Sequence, residues 1–553
     1  VSGPALDTRS IAPGKTKSLT LSNGAEINVQ NVGGVLFYKV EATFTQDAFT
    51  KLLATHALKP KTEQVALISK EIDRVFAKLQ SENAIPLSQA SEAGYFQFML
   101  PYRQDLLAPL KALKWDHDLV FNPAVEDRFS FEEIKAMRPD VEGLVRRSGT
   151  RDSHSEFSGL NRIGAPAFIK QAESDIGGGV KINGSSVNVG ITDTGITFNH
   201  PAFENRIVYM KDFTREGRVY FSPTSKLQVS AEDGASAEDL VVAAQIIQTP
   251  KLPALPTGDA FTDVADLKIK VSPELRAVLL SADSKAKFGF LLEDSLQSEA
   301  EPVDINNNGK LNDKLPLILI PGKSPEASLV YFDPSGTGDF RQAKGLGNWN
   351  TTHDAIEVFA EKVGFDIKDD KLPTADGKGV AQVISASIVG YDPGNHGSHV
   401  AGISSGSSPL VQGVAPQSKI LLNRVCSNNA GCSATAAFVD LALNGGVDVI
   451  NMSLGGLNPF NDGYGVQETM INRLTALKNV LFVISAGNSG PGRQTVGSPS
   501  TARFSLSVGA SASKGMIQRQ YQWPGADGED DDFMLFFSSR GPTAAGGFKP
   551  MIS

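Results

Sequence analysis

Val187-Asn188-Val189-Gly190-Ile191-Thr192-Asp193-Thr194-Gly195 decides how the chain reads. An apolar run closed by an acid and a glycine turn is the pattern of a strand buried on both faces, because helices covering both sides of a parallel strand leave it no polar face. Asp193 enters the Thr-Gly turn and so emerges at the strand's carboxyl end, where open α/β sheets hold their ligands. Working outward, Val414 to Val425, Val447 to Met452 and Val480 to Ile484 read as further strands, and Ala434 to Leu443 as a helix stopped by Asn444-Gly445-Gly446. Strands alternating with helices predict an α/β fold with a doubly wound, mostly parallel sheet.

Downstream, His396-Gly397-Ser398-His399-Val400-Ala401-Gly402 sets an imidazole at the head of a small-residue helix. Small side chains let such a helix approach its neighbour closely. Asn451-Met452-Ser453-Leu454-Gly455-Gly456, Ser485-Ala486-Gly487-Asn488-Ser489-Gly490 and Phe537-Ser538-Ser539-Arg540-Gly541-Pro542 follow. Each has a plainer reading when taken alone. Asp-Thr-Gly is a turn, His396 and His399 share a helix face at the spacing of a metal pair, and an Asn among glycines is a turn residue. Gly402-Ile403-Ser404-Ser405-Gly406 satisfies a nucleophile-elbow pattern, but it lies past the His-bearing helix rather than between strand and helix.

In this order the motifs resemble the subtilisin-like serine protease family, in which Asp precedes His and His precedes Ser. The resemblance spans residues 161–211 and 389–553. It implies that Asp193 orients His396, that His396 is general base and then acid, and that Asn488 donates to the oxyanion. It further implies that Ser453, Leu454 and Gly455, with Ala486 and Gly487, line the substrate. The family's serine is not visible up to Ser553. The expectation is therefore a secreted endopeptidase whose nucleophile lies beyond this chain, the chain by itself being inactive. A catalytically inactive peptide-binding relative and a tripeptidyl exopeptidase are the alternatives.

Residues 1–33 read as an N-terminal extension. In 34–128, Val35 to Val40, Gly94 to Leu100 and Val120 to Val125 are strand-like, and Asp47 to His56, Thr62 to Asn83 and Asp105 to Trp115 are helical. That order suggests a ferredoxin-like α+β module. It also resembles the inhibitory propeptide of the protease family, which would make the module the enzyme's own partner. Residues 129–160, with Arg146-Arg147, are a charged connector. Residues 212–388 form a strand-rich insert between Asp193 and His396, similar to the large insert of the branch that includes tripeptidyl-peptidase II and pyrolysin.

A net charge of -9 argues against nucleic acid as a partner, and no apolar run approaches the ~20 residues of a membrane helix. The partners expected are peptide or protein substrates, and the location is outside the cell or in its envelope. Cys426 and Cys432 flank a short Ser-Asn-Asn-Ala-Gly turn, a spacing open to a disulfide or to two thiols. In the insert, Asp304, Asn306, Asn308 and Asp313 alternate around Gly309 as in a calcium loop, although Leu315 stands where an EF-hand has Glu. Asp333 to Asp339 repeats the spacing with weaker donors; both stretches also read as Asx-rich turns. The chemistry itself requires no cofactor.

Overall fold

The computed structural model describes the chain except residues 1, 7–10, 12–15, 23–25, 33–34, 56, 58, 125–159, 161–162, 215, 222–227, 232–237, 248–260, 282, 297–303, 307, 355, 365–379, 393, 410–411, 428–430, 458–460 and 514–531. The connector, with Arg146-Arg147, lies outside the described residues apart from Leu160. Two compact units form. One comprises Val1–Glu126, Tyr209–Asn395 and Asn423–Ala437, the other Asp127–Val208, His396–Leu422 and Phe438–Ser553.

In the first unit, strands β1 (Thr16–Thr20), β2 (Glu26–Val32), β3 (Val35–Phe44), β4 (Ile85–Ala90), β5 (Tyr95–Pro101) and β6 (Leu119–Pro123) form one antiparallel sheet with helices α1 (Gln46–Ala54), α2 (Lys61–Leu79) and α3 (Ala108–Ala112). The sheet order β1-β2-β3-β5-β4, with β6 also on β3, contains β-α-β-β-α-β connectivity. Strand β3 is long enough to hold two partners along one edge: Val35 to Tyr38 pair with β2, and Val40 to Phe44 with β6. Side chains alternate across a strand. Tyr38, Val40, Ala42 and Phe44 therefore enter the core with Phe49, Ile68, Ile72 and Phe96. Glu41, on the other face, pairs in register with Gln97.

The insert follows the same alternation in two further sheets. One runs in the order Asp339–Phe340, Phe261–Val271, Asp239–Ile247, Val219–Phe221, Val380–Ile388, Ile356–Gly364, and the other joins Lys287–Leu292, Lys314–Ile320, Leu329–Phe332 and Gly345–Leu346. Phe221, Leu291, Leu317 and Val358 close a shared core between them. At Gly289 a Cβ would lie 2.7 Å from Val219, so this crossing admits only glycine without a shift.

The remaining sheet carries the sequence motifs. Its strands are β7 (Asn188–Asp193), β8 (Ile207–Asp212), β9 (Lys419–Arg424), β10 (Val449–Met452), β11 (Leu481–Ser485) and β12 (Leu506–Val508), in the order β12-β11-β10-β7-β9-β8. The pairs β7–β10, β10–β11 and β11–β12 are parallel. Helices α4 (Ala165–Ile176), α5 (His396–Ser405), α6 (Thr435–Asn444) and α7 (Val466–Lys478) accompany it, giving the subtilisin-like α/β fold. Of the boundaries that differ from expectation, two stand out. The strand expected from Val414 begins only at Lys419, because Pro416 has no N–H for a ladder. The helix expected over Asp105 to Trp115 shrinks to Ala108–Ala112. Among the described residues no helix is long and apolar enough to cross a membrane.

Candidate active site

Register brings the motifs to one level. Ile191 lies opposite Asn451, and Asn451 opposite Val483. Two residues further on, Asp193, Ser453 and Ser485 therefore end three parallel strands side by side, at the carboxyl edge where such sheets place their chemistry.

Asp193 is 1% exposed, and its Oδ1 lies 2.7 Å from His396 Nδ1. The same oxygen accepts from the Thr194 backbone N–H at 2.7 Å. A carboxylate only accepts, so Nδ1 is the nitrogen through which the imidazole donates to it. Asp193 Oδ2 is buried without a hydrogen-bond partner among the described residues. Most buried polar atoms in folded proteins are hydrogen-bonded, so an oxygen left without a partner calls for an explanation.

The turn after β7 and the head of α5 are fastened at several points. Gly397 N donates to Thr194 Oγ1 at 2.8 Å, and Thr197 N donates to Ser398 Oγ at 2.9 Å. A Cβ on Gly397 would stand 2.1 Å from the Gly195 carbonyl oxygen, so the small-residue pattern has a local cause. His399 is exposed on α5. Ser404 lies inside the same helix and donates to the Ala401 carbonyl, which removes it from consideration as an elbow nucleophile. His200, in the motif after Asp193, caps the short turn Pro201–Phe203 by accepting from Ala202 N through Nδ1.

The Ser453–Gly455 and Ala486–Asn488 segments leave β10 and β11 next to one another. Leu454 is buried, and its carbonyl accepts from Ser485 Oγ at 3.2 Å. A third segment, not anticipated from sequence, ties them together. Gly456 and Ser498 exchange two backbone bonds of 2.9 and 2.8 Å, while Gly497 N donates to the Ala486 carbonyl at 3.1 Å. Gly455, at φ 146°, faces the Ser498 carbonyl so closely that a Cβ would lie 2.7 Å from it. Asn488 itself is exposed.

The calcium-like loop gathers its four expected residues. Asp313 Oδ2 accepts from Asn306 Nδ2 at 2.8 Å and from Asn308 Nδ2 at 2.5 Å, and Asp304 accepts from the Asn308 and Gly309 N–H groups at 3.1 and 2.8 Å. In the second loop, Asp333 is buried and satisfied by Ser335, Gly338 and Asp339 N–H groups, an Asx-type turn. Cys426 and Cys432 are joined by a disulfide across a two-residue antiparallel pair.

Residues 184–553 match the model of the subtilase family. Pyrolysin of Pyrococcus furiosus is 27% identical over 492 residues, covering 79% of this chain and 32% of that protein. The minor extracellular protease Vpr of Bacillus subtilis is 35% identical over 166 residues, 28% of this chain and 18% of its own length. Tripeptidyl-peptidase 2 of Arabidopsis thaliana is 34% identical over 171 residues, covering 29% of this chain and 12% of that protein. The chain thus spans a third or less of the length of these relatives. With the family model matched across both the Asp193 and the His396 motifs, and with pyrolysin similar over 79% of the chain, the chain belongs to the subtilase family, in its large-insert branch.

Proposed function

We propose that the full-length protein is a secreted endopeptidase that cleaves peptide bonds by acyl transfer. The observation that carries this reading is the 2.7 Å bond between Asp193 and His396, held at the same sheet edge as the Ala486–Asn488 turn. His396 Nε2 takes the proton of a serine hydroxyl supplied outside the matched motifs, and the alkoxide adds to the scissile carbonyl. Asp193 stabilises the imidazolium, and Asn488 donates to the oxyanion. The imidazolium then protonates the leaving amine, and water repeats the sequence on the acyl-enzyme. An extended substrate lies along Ser453–Gly455 as an added strand, which gives it main-chain bonds independent of its side chains.

The N-terminal module acts as the inhibitory propeptide in this reading. Support comes from Glu41, a buried carboxylate on the face of the sheet away from its helices. Its Oε1 accepts from Tyr95 and Gln97, and its Oε2 from the hydroxyl of Thr435, the first residue of α6, at 2.8 Å. A carboxylate at a helix N-terminus is favourably placed against the helix dipole. Asp304, Asn306, Asn308 and Asp313 would hold a structural calcium ion.

The test is hydrolysis of a long unstructured polypeptide by the full-length protein, with products read by mass spectrometry. Internal fragments of varied length are expected, and His396→Ala should abolish them. Tripeptides released in succession from the amino terminus would replace this reading with the exopeptidase one, towards which the similarity to tripeptidyl-peptidase 2 points. Binding of peptides without turnover would favour the inactive relative.

A further inference from the structure

The Phe537-Ser538-Ser539-Arg540 segment matched a family motif in sequence, yet the chemistry above gives it no task. Its bonds give it one. Ser539 is fully buried. Its Oγ accepts from Ser489 N at 3.0 Å, and its own backbone N donates to the Gly487 carbonyl at 2.9 Å. Both neighbours of Asn488 are thereby anchored to one residue. Flanking bonds extend the strap: Gly490 N donates to the Phe537 carbonyl at 2.8 Å, Thr495 N to the Arg540 carbonyl at 2.9 Å, and Arg540 N to Thr495 Oγ1 at 2.9 Å. The other hydroxyl of the pair, Ser538 Oγ, faces away from the turn and accepts from Ala510 N.

The backbone of the turn is shaped to admit this hydroxyl. Gly487 sits at φ 104°, where L side chains are strained, and a Cβ on it would lie 3.0 Å from Ser539 Oγ. Asn488 is exposed and has little packing of its own to fix its amide. An oxyanion donor is effective only when it is aimed before the reaction starts, since the reorganisation energy is then already spent. We infer that Ser539 is a positioning residue for the reaction: it clamps the peptide groups on both sides of Asn488 and so aims the carboxamide at the developing oxyanion. The inference rests on the oxyanion role proposed for Asn488.

A double-mutant cycle on the full-length protein tests it, because residues that act as a unit are non-additive while independent ones add. Ser539→Ala should lower kcat by about tenfold with KM nearly unchanged, as a small misplacement of a catalytic group does. In an Asn488→Ala background the same substitution should change kcat less than about twofold, and Ser539→Thr, which keeps the hydroxyl, should recover most of the loss. Equal losses in the two backgrounds, or an unchanged kcat in Ser539→Ala, would overturn the inference. Backbone amide exchange supplies a readout independent of turnover. The Ser489 amide should be protected in the parent and exchange about tenfold faster in Ser539→Ala, with the β11 amides unaffected. An unprotected Ser489 amide in the parent sinks the clamp even in a protein that hydrolyses nothing, whereas a protected one without hydrolysis leaves the clamp standing and sinks the protease reading, and with it the catalytic purpose of the clamp.

Discussion

Asp193 and Asp212 are a matched pair with opposite fates. Each is the last residue of a strand, and each is buried. Asp193 faces one imidazole that is 24% exposed and keeps an oxygen without a partner among the described residues. Asp212 is enclosed by Arg424 at 3.5 Å, Arg218 at 3.4 Å, both the N–H and the hydroxyl of Thr214, and the Ser387 hydroxyl at 2.8 Å. Burial alone would raise the Asp212 carboxyl, but the two guanidinium groups and Thr214 outweigh it and hold the pKa below the ordinary value. Glu216 completes the set as the second anion on Arg424, which also stacks over Tyr391. Satisfying every lone pair makes a carboxylate structural. Leaving it one titratable, solvent-facing partner makes it available to chemistry.

The largest effect should fall on activity at the first aspartate. Asp193→Asn keeps the shape but reverses the tautomer preference of His396, and on the proposed reading kcat of the full-length protein should fall by about 10⁴-fold with the unfolding midpoint nearly unchanged. A stability loss comparable to that at the second aspartate would erase the distinction between them. At that second site the expected change is in folding. Arg424→Met leaves Glu216 buried without its cation and Asp212 with Arg218 alone, which costs about 3–5 kcal/mol in denaturant unfolding. Adding Glu216→Gln should recover part of the loss, since one stranded charge is then removed.

How much of this was legible in sequence follows from the range of the interactions. Asp193 and His396 could be singled out because each sits in a local pattern, an apolar strand before a Gly turn and a small-residue helix, and because the order of the motifs resembles that of the family. The Asp212 cluster could not, because Glu216 and Arg424 are 208 positions apart and neither carries a local signature. Strand β4, Ile-Pro-Leu-Ser-Gln-Ala, was missed because an edge strand with a proline and half-exposed side chains lacks the alternation that marks a buried face. Gly497 and Ser498 escaped for a related reason: they join two motifs through backbone bonds, and backbone bonds leave little trace in side-chain identity. The Phe537 motif was visible as a match, but only the bonds of Ser539 assign it work.

Glu357 sharpens the contrast by titration. It is buried beside the cluster, accepts from Asp212 N at 3.0 Å, and has Lys211, Arg218 and Asp212 for charged neighbours. Burial pushes its carboxyl from 4.5 up to about 7, against the lowering effects of the Asp212 N–H, Lys211 and Arg218. The folded protein therefore binds this proton more tightly than the unfolded chain does. Its contribution is fully present below pH 4.5, is lost as pH rises through about 7, and is level above that. The loss should be on the order of 3 kcal/mol. Glu357→Gln should flatten stability across that window in urea titrations, and parallel slopes for parent and variant would reject the assignment.

The smallest effect is expected at a third kind of carboxylate. In the 304–313 loop, the half-buried Asp313 is held below its ordinary pKa first by the Asn306 amide, with further help from Asn308 and Lys310. Gly309, at φ 80°, makes the sharp turn that brings Asp304, Asn306 and Asn308 round to it. Two carboxylates and two amides are a low charge count for a calcium loop, and among the described residues no cluster of three or more His, Cys, Asp or Glu side chains adds to them. Affinity scales with that count, so binding should fall near the ~10⁻⁴–10⁻³ M range of extracellular modules rather than that of cytosolic sensors. At calcium ten times the Kd the stabilisation is then about 1.4 kcal/mol. Thermal unfolding with millimolar calcium and then with chelator should show a shift of a few degrees that Asp304→Ala and Asp313→Ala each remove. A midpoint indifferent to both reagents would return the loop to an Asx turn, with its carboxylates satisfied by amides in the way that Asp212 is satisfied by arginines.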